Sequence, residues 1–312
     1  MSKQHWSEYW KTGALTSLPA DFKENYDGEL YEYWKTVLLS GLPQLKILDV
    51  CTGNGAVALL LSEIAEKHHI AVDVVAVDAS DIKPSRLLNA FPQKKVHINQ
   101  INFIGNCFVE SMATTVPGTF DLIVSQYGIE YCDTEQAATN IVQKLKACGR
   151  LVFIAHSPNT AMLEYMEIEQ QIFNYLDTLK AFDLLLNFSR NKISTNHFKN
   201  NLQQCLQAMS EQHHFKSQNL FNTWGKMMYQ MLQIRNADLK NQRVKVGQFA
   251  KSHLFAKARA QDMLDVSQKL MNDTEWYQPF IAAGLSLENH GEMTYQGKHN
   301  VGHFYEFVKN QT

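Results

Sequence analysis

Proline is missing from the middle of this 312-residue sequence. Of seven in all, none lies between Pro158 and Pro279, and only two of the fifteen glycines, Gly225 and Gly247, fall in that stretch. Without the residues that make tight turns, the stretch excludes a meander of short strands and leaves helices. Cysteine is sparse: Cys51, Cys107, Cys132, Cys148 and Cys205 are odd in number, far apart and contain no CxxC. That excludes a disulfide scaffold and a cysteine zinc site, and fits a reducing cytoplasm. No apolar run reaches the ~18 residues of a membrane span. Met1–Gly13, with His5, Glu8 and Trp10, lacks the apolar centre of a secretory signal. Neither sign of charge dominates, 29 Lys and Arg standing against 31 Asp and Glu, so the chain is no polycation. With 45% hydrophobic and 19% charged residues it is no disordered chain, coiled coil or collagen either. A cytoplasmic globular protein of two domains, or of one domain with a large insertion, is expected.

Strand and helix signals alternate through the first half. Lys46–Val50 is a short apolar run that ends beside an acid and enters glycine-rich sequence. Ala56–Lys67 follows with apolar residues at helical spacing, then the β-branched Asp73–Val77. Asn102–Ile104 and Phe120–Ser125 read as further strands, Thr134–Ala147 as a helix stopped by Gly149, and Arg150–Ala155 as the fifth strand. Near-continuous apolar strands between helices predict a parallel sheet covered on both faces. After Pro158 the apolar residues keep helical period. Leu163, Met166, Ile172, Phe173, Leu176, Leu179 and Phe182 form one stripe, and Leu220, Phe221, Trp224, Met227, Met228 and Met231 a second, both read as core packing. The tail reads as one helix, Met263–Ala283, and two strands, Leu285–Tyr295 and Asn300–Val308.

The strongest chemical signal is Asp49-Val50-Cys51-Thr52-Gly53-Asn54-Gly55-Ala56, where a strand turns sharply into a helix. Gly53 and Gly55 remove the Cβ atoms that would keep a ligand from the backbone, and the helix start offers N–H groups to ligand oxygens. Asp78 ends the next strand. In a doubly wound sheet those strand ends are neighbours at the switch point where ligands bind, and a carboxylate there accepts both hydroxyls of a ribose. Two nucleotide classes fit. Gly53-x-Gly55-x-x-Ala58 satisfies the dinucleotide fingerprint. Asp49, immediately before the loop, opposes a pyrophosphate and suits a ligand with a cationic amine and sulfonium, S-adenosylmethionine.

Ile47–Ala58, Val74–Ser80, Phe120–Tyr131 and Gly149–His156 together resemble the successive motifs of the class I S-adenosylmethionine-dependent methyltransferases. The resemblance covers about residues 45–157 and 263–309. It implies a Rossmann-like, doubly wound, seven-stranded, mostly parallel sheet, closed by an antiparallel hairpin, with a helical insertion after strand five. In that family Asp49 and Gly53–Gly55, with Thr52 and Asn54, would hold the amino-acid end of the cofactor, and Asp78 with Ala79 the ribose. Asn106 and Cys107 would lie beside the adenine, and Gln126 would line the methionine end. Cys51 stands where the family usually has glycine; with no basic neighbour in sequence it reads as a packed small side chain rather than a nucleophile.

Methyl transfer is an in-line displacement that depends on alignment and exclusion of water. The candidate catalytic side chains are Tyr127, packing on the methyl group, Glu130, orienting a substrate, and His156, accepting a proton. The N-terminal aromatics Trp6, Tyr9, Trp10, Tyr26 and Trp34 suggest a lid, with Tyr26 its first candidate. Residues 1–44 are thus read as a helical lid, 45–157 as the cofactor-binding core, 158–262 as a helical substrate cap, and 263–312 as the helix and hairpin completing the core. From Arg190 to Arg259 twelve Lys and Arg face only Glu211 and Asp238, a solvated surface or a docking face for an anionic partner. His213 and His214, being adjacent, share no helical face and are no metal pair; no metal is expected. The expected activity is methyl transfer to a small or medium organic molecule. Three alternatives stand beside it: a methyltransferase for RNA or a carrier-bound substrate acting through residues 190–259, an NAD(P)-dependent oxidoreductase, and a non-catalytic nucleotide-binding module. Oligomeric state is not legible.

Overall fold

The computed structural model describes residues 4–17, 22–158 and 160–311. The chain divides into two compact units, residues 1–160 with 265–312, and residues 161–264.

The first unit is built on seven strands: β1 (Gln44–Val50), β2 (Ala71–Val77), β3 (Asn102–Ile104), β4 (Phe120–Gln126), β5 (Leu145–Ala155), β6 (Leu285–Tyr295) and β7 (His299–Lys309). Their order is β3-β2-β1-β4-β5-β7-β6. The first five pair in parallel, and β7 runs antiparallel to both β5 and β6, the hairpin that the resemblance implied. The order reverses at β1, which has β2 on one side and β4 on the other. Side chains alternate between faces, as a period of two requires. Ile47, Val74, Ala76, Leu122, Val124, Val152 and Ile154 pack with helices α2 (Gly28–Leu39) and α3 (Ala56–Lys67). Leu48, Val50, Val75, Val77, Ile123, Leu151 and Phe153 build the opposite core with Trp276 and Phe280. Helix α3 is apolar almost all round because it is buried almost all round, from Ala56 to Ile64 and Ala65. A short helix, α1 (Gln4–Trp10), precedes them.

Two expectations from periodicity need correction. The helix beginning at Thr134 ends at Lys144, not Ala147, and Leu145–Cys148 belong to β5. Leu145 pairs with Phe120, and an irregularity between Phe120 and Leu122 takes up the residues before Arg150, with Cys148 in the left-handed region. Sheet pairing overrides the helical signal there. The single helix expected over Met263–Ala283 is two: Arg243–Asn272 and Gln278–Ala282. Asp273 breaks it by accepting the N–H of Glu275 through Oδ1 at 3.0 Å, a local turn that competes with the helix. The break lets Trp276 and Phe280 both reach Phe153, at ring separations of 5.6 Å, while Tyr305 and Phe307 of β7 stack on the same ring.

The second unit is helical: Ala161–Thr178, Ala181–Ser189, Thr195–Glu211, Asn219–Gln233, Asn236–Asn241 and the start of Arg243–Asn272. From Ile172 on, the first expected stripe belongs to its core, as does the second, with Phe173, Phe188, Phe198, Trp224 and Met228 fully buried; Leu163 and Met166 stay outside that core, half-buried. Phe188 and Phe198 stack at 3.9 Å. Four of the basic residues have structural duties. Lys199 donates to the carbonyls of Leu232 and Ile234 at the end of a helix. Arg243 lies over Phe188 and donates to its carbonyl. Lys257 pairs with Asp177 and Arg235 with Asp238. Among the described residues no helix is long and apolar enough to cross a membrane.

Phe153 joins β5, β7 and the Trp276–Phe280 segment, so Phe153→Ala should destabilise the protein by about 3–5 kcal/mol. Urea-unfolding midpoints check this; a change below ~1 kcal/mol would refute the packing role.

Candidate functional site

The loop after β1 reverses the chain within five residues. Cys51, Gly53 and Gly55 all take positive φ, at 56°, 56° and 87°. The loop closes through Thr52 N–H on the Val77 carbonyl at 3.0 Å and Gly55 N–H on the Thr52 carbonyl at 2.8 Å. Asp49 holds the turn together. Its Oδ2 accepts from the Thr52 hydroxyl at 2.5 Å and from the Ala58 N–H at 3.0 Å. Its Oδ1 is buried with no hydrogen-bond partner among the described residues. Burial pushes the Asp49 carboxyl up to about 7; the Thr52 and Ala58 hydrogen bonds oppose the rise, and the charge of Asp78 adds to it.

Asp78 ends β2 beside this loop. Its Oδ2 accepts from Gly53 N–H and its Oδ1 from Ser80 N–H, both at 2.7 Å. Ala79 lies between. The chain returns after β3, where Asn106 N–H donates to the Ser80 carbonyl at 3.0 Å and Cys107 N–H to the Asp78 carbonyl at 2.9 Å. Asp49, Thr52, Gly53, Asp78, Asn106 and Cys107 are thus brought together by their own bonds. Gln126, at the end of β4, accepts the Trp34 indole N–H through Oε1 at 2.6 Å, and its Nε2 is buried without a hydrogen-bond partner among the described residues.

Other candidates face elsewhere. The Asn54 amide donates to the carbonyls of Trp10 and Ala14, at 3.0 and 2.7 Å. The Cys51 sulfur faces that of Cys132 at 3.7 Å, and this contact, with burial, pushes its thiol well up, against a nucleophilic role. A Cβ on Gly128 would lie 2.3 Å from the Cys51 Cβ, so close packing explains both residues. Tyr26 is buried against Phe22 and Tyr127, and burial raises its phenol.

Two contacts went unread in the sequence. A Cβ on Gly53 would meet the Trp10 ring at 2.4 Å, and one on Gly55 would meet Phe103 at 2.6 Å. Helix α1 is tied over the loop: Ser7 Oγ accepts the Asp81 N–H at 3.1 Å, and the Trp6 ring meets Tyr131 edge-on at 6.0 Å. The four-residue spacing of Trp6 and Trp10 was the available signal; nothing local showed what they cover.

Beyond β4 and β5 lie Tyr127, Glu130 and His156. Tyr127 takes a φ of 55°, and its hydroxyl donates to the Val301 carbonyl at 2.7 Å. Its ring lies 4.7 Å from that of His156, and that of Tyr131 lies 5.8 Å away on an edge. Glu130 is fully buried. Its Oε1 accepts from His156 twice, from the backbone N–H at 2.9 Å and from Nδ1 at 2.6 Å. Glu130, expected to orient a substrate, holds His156 through this oxygen.

The model of the ubiE/COQ5 methyltransferase family matches residues 29–222. The chain is similar to a release factor glutamine methyltransferase of Haemophilus influenzae, 36% identical over 130 residues, which cover 39% of this chain and 41% of that protein. The match therefore spans less than half the length of that relative. Solved structures it is similar to include a TehB-like SAM-dependent methyltransferase from Corynebacterium glutamicum, at 14% identity, TM-score 0.42 and coverage of 99% of this chain and 100% of that one. Another is an S-adenosylmethionine-dependent methyltransferase from Mesorhizobium loti, at 19% identity, TM-score 0.32 and coverage of 42% of this chain and 55% of that one.

The Asp49 carboxyl has a measurable signature. Folding raises it from 3.8 to about 7, so the folded protein holds a proton that the unfolded chain releases. Stability of the ligand-free protein should therefore fall as pH rises through that window, by up to ~1.4 kcal/mol per pH unit from this group. Urea titrations across the pH range should show that slope in the wild type and a flatter one in Asp49→Asn. Equal slopes would refute the assignment.

Proposed function

The chain belongs to the ubiE/COQ5 methyltransferase family, and from that premise we propose that it binds S-adenosylmethionine at the β1–α3 loop and transfers its methyl group to a small or medium organic molecule. One observation carries this reading: a buried carboxylate oxygen without a partner, Asp49 Oδ1, at the mouth of a glycine loop. Desolvated and beside a second acid, Asp49 ionises only at a cost, and a cationic ligand removes that cost. The residues fit such a ligand. Asp49 would face its amino-acid end, and Asp78, at the end of the neighbouring strand, would take ribose hydroxyls. Asn106 and Cys107 would border the base, and Gln126 Nε2, without a hydrogen-bond partner among the described residues, is a donor in reserve. When bound, S-adenosylmethionine supplies a methyl group activated by a sulfonium. The protein's part is to hold it, align the acceptor and exclude water. Helix α1, laid on Gly53 through Trp10, supports a lid in residues 1–44, carried by Trp10 rather than Tyr26.

The same carboxylate opposes a dinucleotide, since a pyrophosphate beside Asp49 would face two acids. The reading of residues 190–259 as an RNA or carrier dock has weaker support than charge alone suggests, because Lys199, Arg243 and Lys257 already serve the helical unit.

Thermal unfolding with S-adenosylmethionine, S-adenosylhomocysteine, NAD and NADP tests this. At ~100 times its dissociation constant a ligand adds about 2.7 kcal/mol, a rise of roughly 5–10 °C. The adenosyl ligands alone should give that rise, and Asp49→Ala should abolish it. A rise with NAD alone would overturn the reading.

A further inference from the structure

Glu130 is a costly residue to place where it lies. Its side chain is fully buried, Oε1 receives two N–H groups of His156, and Oε2 is buried with no hydrogen-bond partner among the described residues. A buried carboxylate with one oxygen unsatisfied is destabilising unless positive charge stands or forms beside it. The charge-bearing group bonded to the carboxylate is His156, whose Nδ1 lies 2.6 Å from Oε1. The histidine is oriented twice over. Its backbone N–H and its ring share one carboxylate oxygen, and the rings of Tyr127 and Tyr131 flank it. With Nδ1 donating to Glu130, the proton is fixed on that nitrogen and the lone pair of neutral imidazole lies on Nε2. Nε2 has no partner among the described residues, and the side chain is 22% exposed. This is the arrangement of a base held in one tautomer by a buried acid.

We infer that His156 is the general base of methyl transfer and that Glu130 is its positioning residue, so that the acceptor is a molecule that gives up a proton as the methyl group arrives. The inference rests on the methyl-transfer reading. In the step, Nε2 takes the proton from the acceptor atom. The electron pair so freed forms the bond to the methyl carbon, and the carbon–sulfur pair returns to sulfur as a neutral thioether. The positive charge that entered as sulfonium ends on the His156 ring, paired with the Glu130 carboxylate. The unsatisfied carboxylate is then matched by charge at the stage of the reaction that needs it. An acceptor with no proton to lose, such as a thioether or a tertiary amine, has no use for this pair.

Other titratable groups near the pair are few. From the segment after β4 come Tyr127 and Tyr131. From β7 comes Tyr305, and His303 is paired in register with Ala155, the residue before His156. From the helix ending at Asn272 comes Lys269, whose Nζ donates to the Glu130 carbonyl at 3.3 Å. None of these is bonded to Nε2.

The experiment uses the full chain labelled with ¹⁵N-histidine, in the wild type and in His156→Gln, Glu130→Gln and Glu130→Asp. Proton NMR of the ligand-free protein should show a low-field Nδ1 proton that is lost in His156→Gln and Glu130→Gln. Glu130→Asp should keep it, weakened. The thermal shift with S-adenosylhomocysteine should survive in all four proteins and certifies that each is folded. Tritiated S-adenosylmethionine with a small-molecule cell extract should then label product in the wild type. His156→Gln should lower that labelling by ~10²-fold or more. Glu130→Gln, free to adopt the wrong tautomer, should lose about tenfold or more, with partial recovery in Glu130→Asp. A wild-type spectrum without the low-field proton, or labelling unchanged in His156→Gln, overturns the inference. Absence of any S-adenosylhomocysteine shift in the wild type instead overturns the methyl-transfer reading beneath it.

Discussion

One carboxylate holds the carboxyl end of β1 and the loop after it in shape. Asp49 closes β1, bonds the Thr52 hydroxyl and the first turn of α3 through a single oxygen, and thereby locks strand, loop and helix into one unit. Everything around it follows from that constraint. The chain must reverse between Val50 and Ala56, so left-handed backbone is needed at Cys51, Gly53 and Gly55. Parallel pairing of β1 with β2, ending at Val50 and Val77, brings the second acid alongside, and Asp78 takes the Gly53 N–H. Two acids so near one another, one of them desolvated, leave a site short of positive charge.

The rest of the first unit supplies the frame that makes polar groups so expensive. Alternating side chains feed two apolar cores, one on each face of the sheet, and the Phe153 ring joins β5 to β7 and to the Trp276–Phe280 segment. In that setting an unpartnered oxygen on Asp49 or Glu130 is a departure from ordinary packing, and such departures gather where ligands and protons are handled. Asp49 lies at the carboxyl end of β1 and Glu130 just beyond that of β4, where a doubly wound sheet places its chemistry.

The helical unit shows the opposite economy. Its aromatic and methionine stripes are spent on its own core, as Trp224 and Met228 illustrate. Its basic surplus is partly internal, with Lys199 capping a helix end and Arg243 lying on Phe188. Net charge counted along a sequence does not distinguish a cation that closes a helix from one offered to a partner.

Local rules carried the sequence a long way. Apolar runs of period two and stripes of period 3.6 located the strands and α3, because those signals depend only on which residues can be buried at which spacing. The glycine loop with Asp49 and Asp78 marked the end of the sheet where a ligand is proposed, because acids and glycines at strand ends have few other uses. What the sequence by itself determined is therefore the doubly wound sheet, the helical insertion and the loop that would hold a nucleotide. Only the tertiary structure decided which side chains meet across distant segments. It took Leu145–Ala147 from a helix into β5, laid Trp10 on Gly53, tied Asn54 to the N-terminal segment, and bonded Glu130 to His156. Those outcomes depend on contacts between residues tens of positions apart, whose geometry is set by packing and has no signature in local spacing.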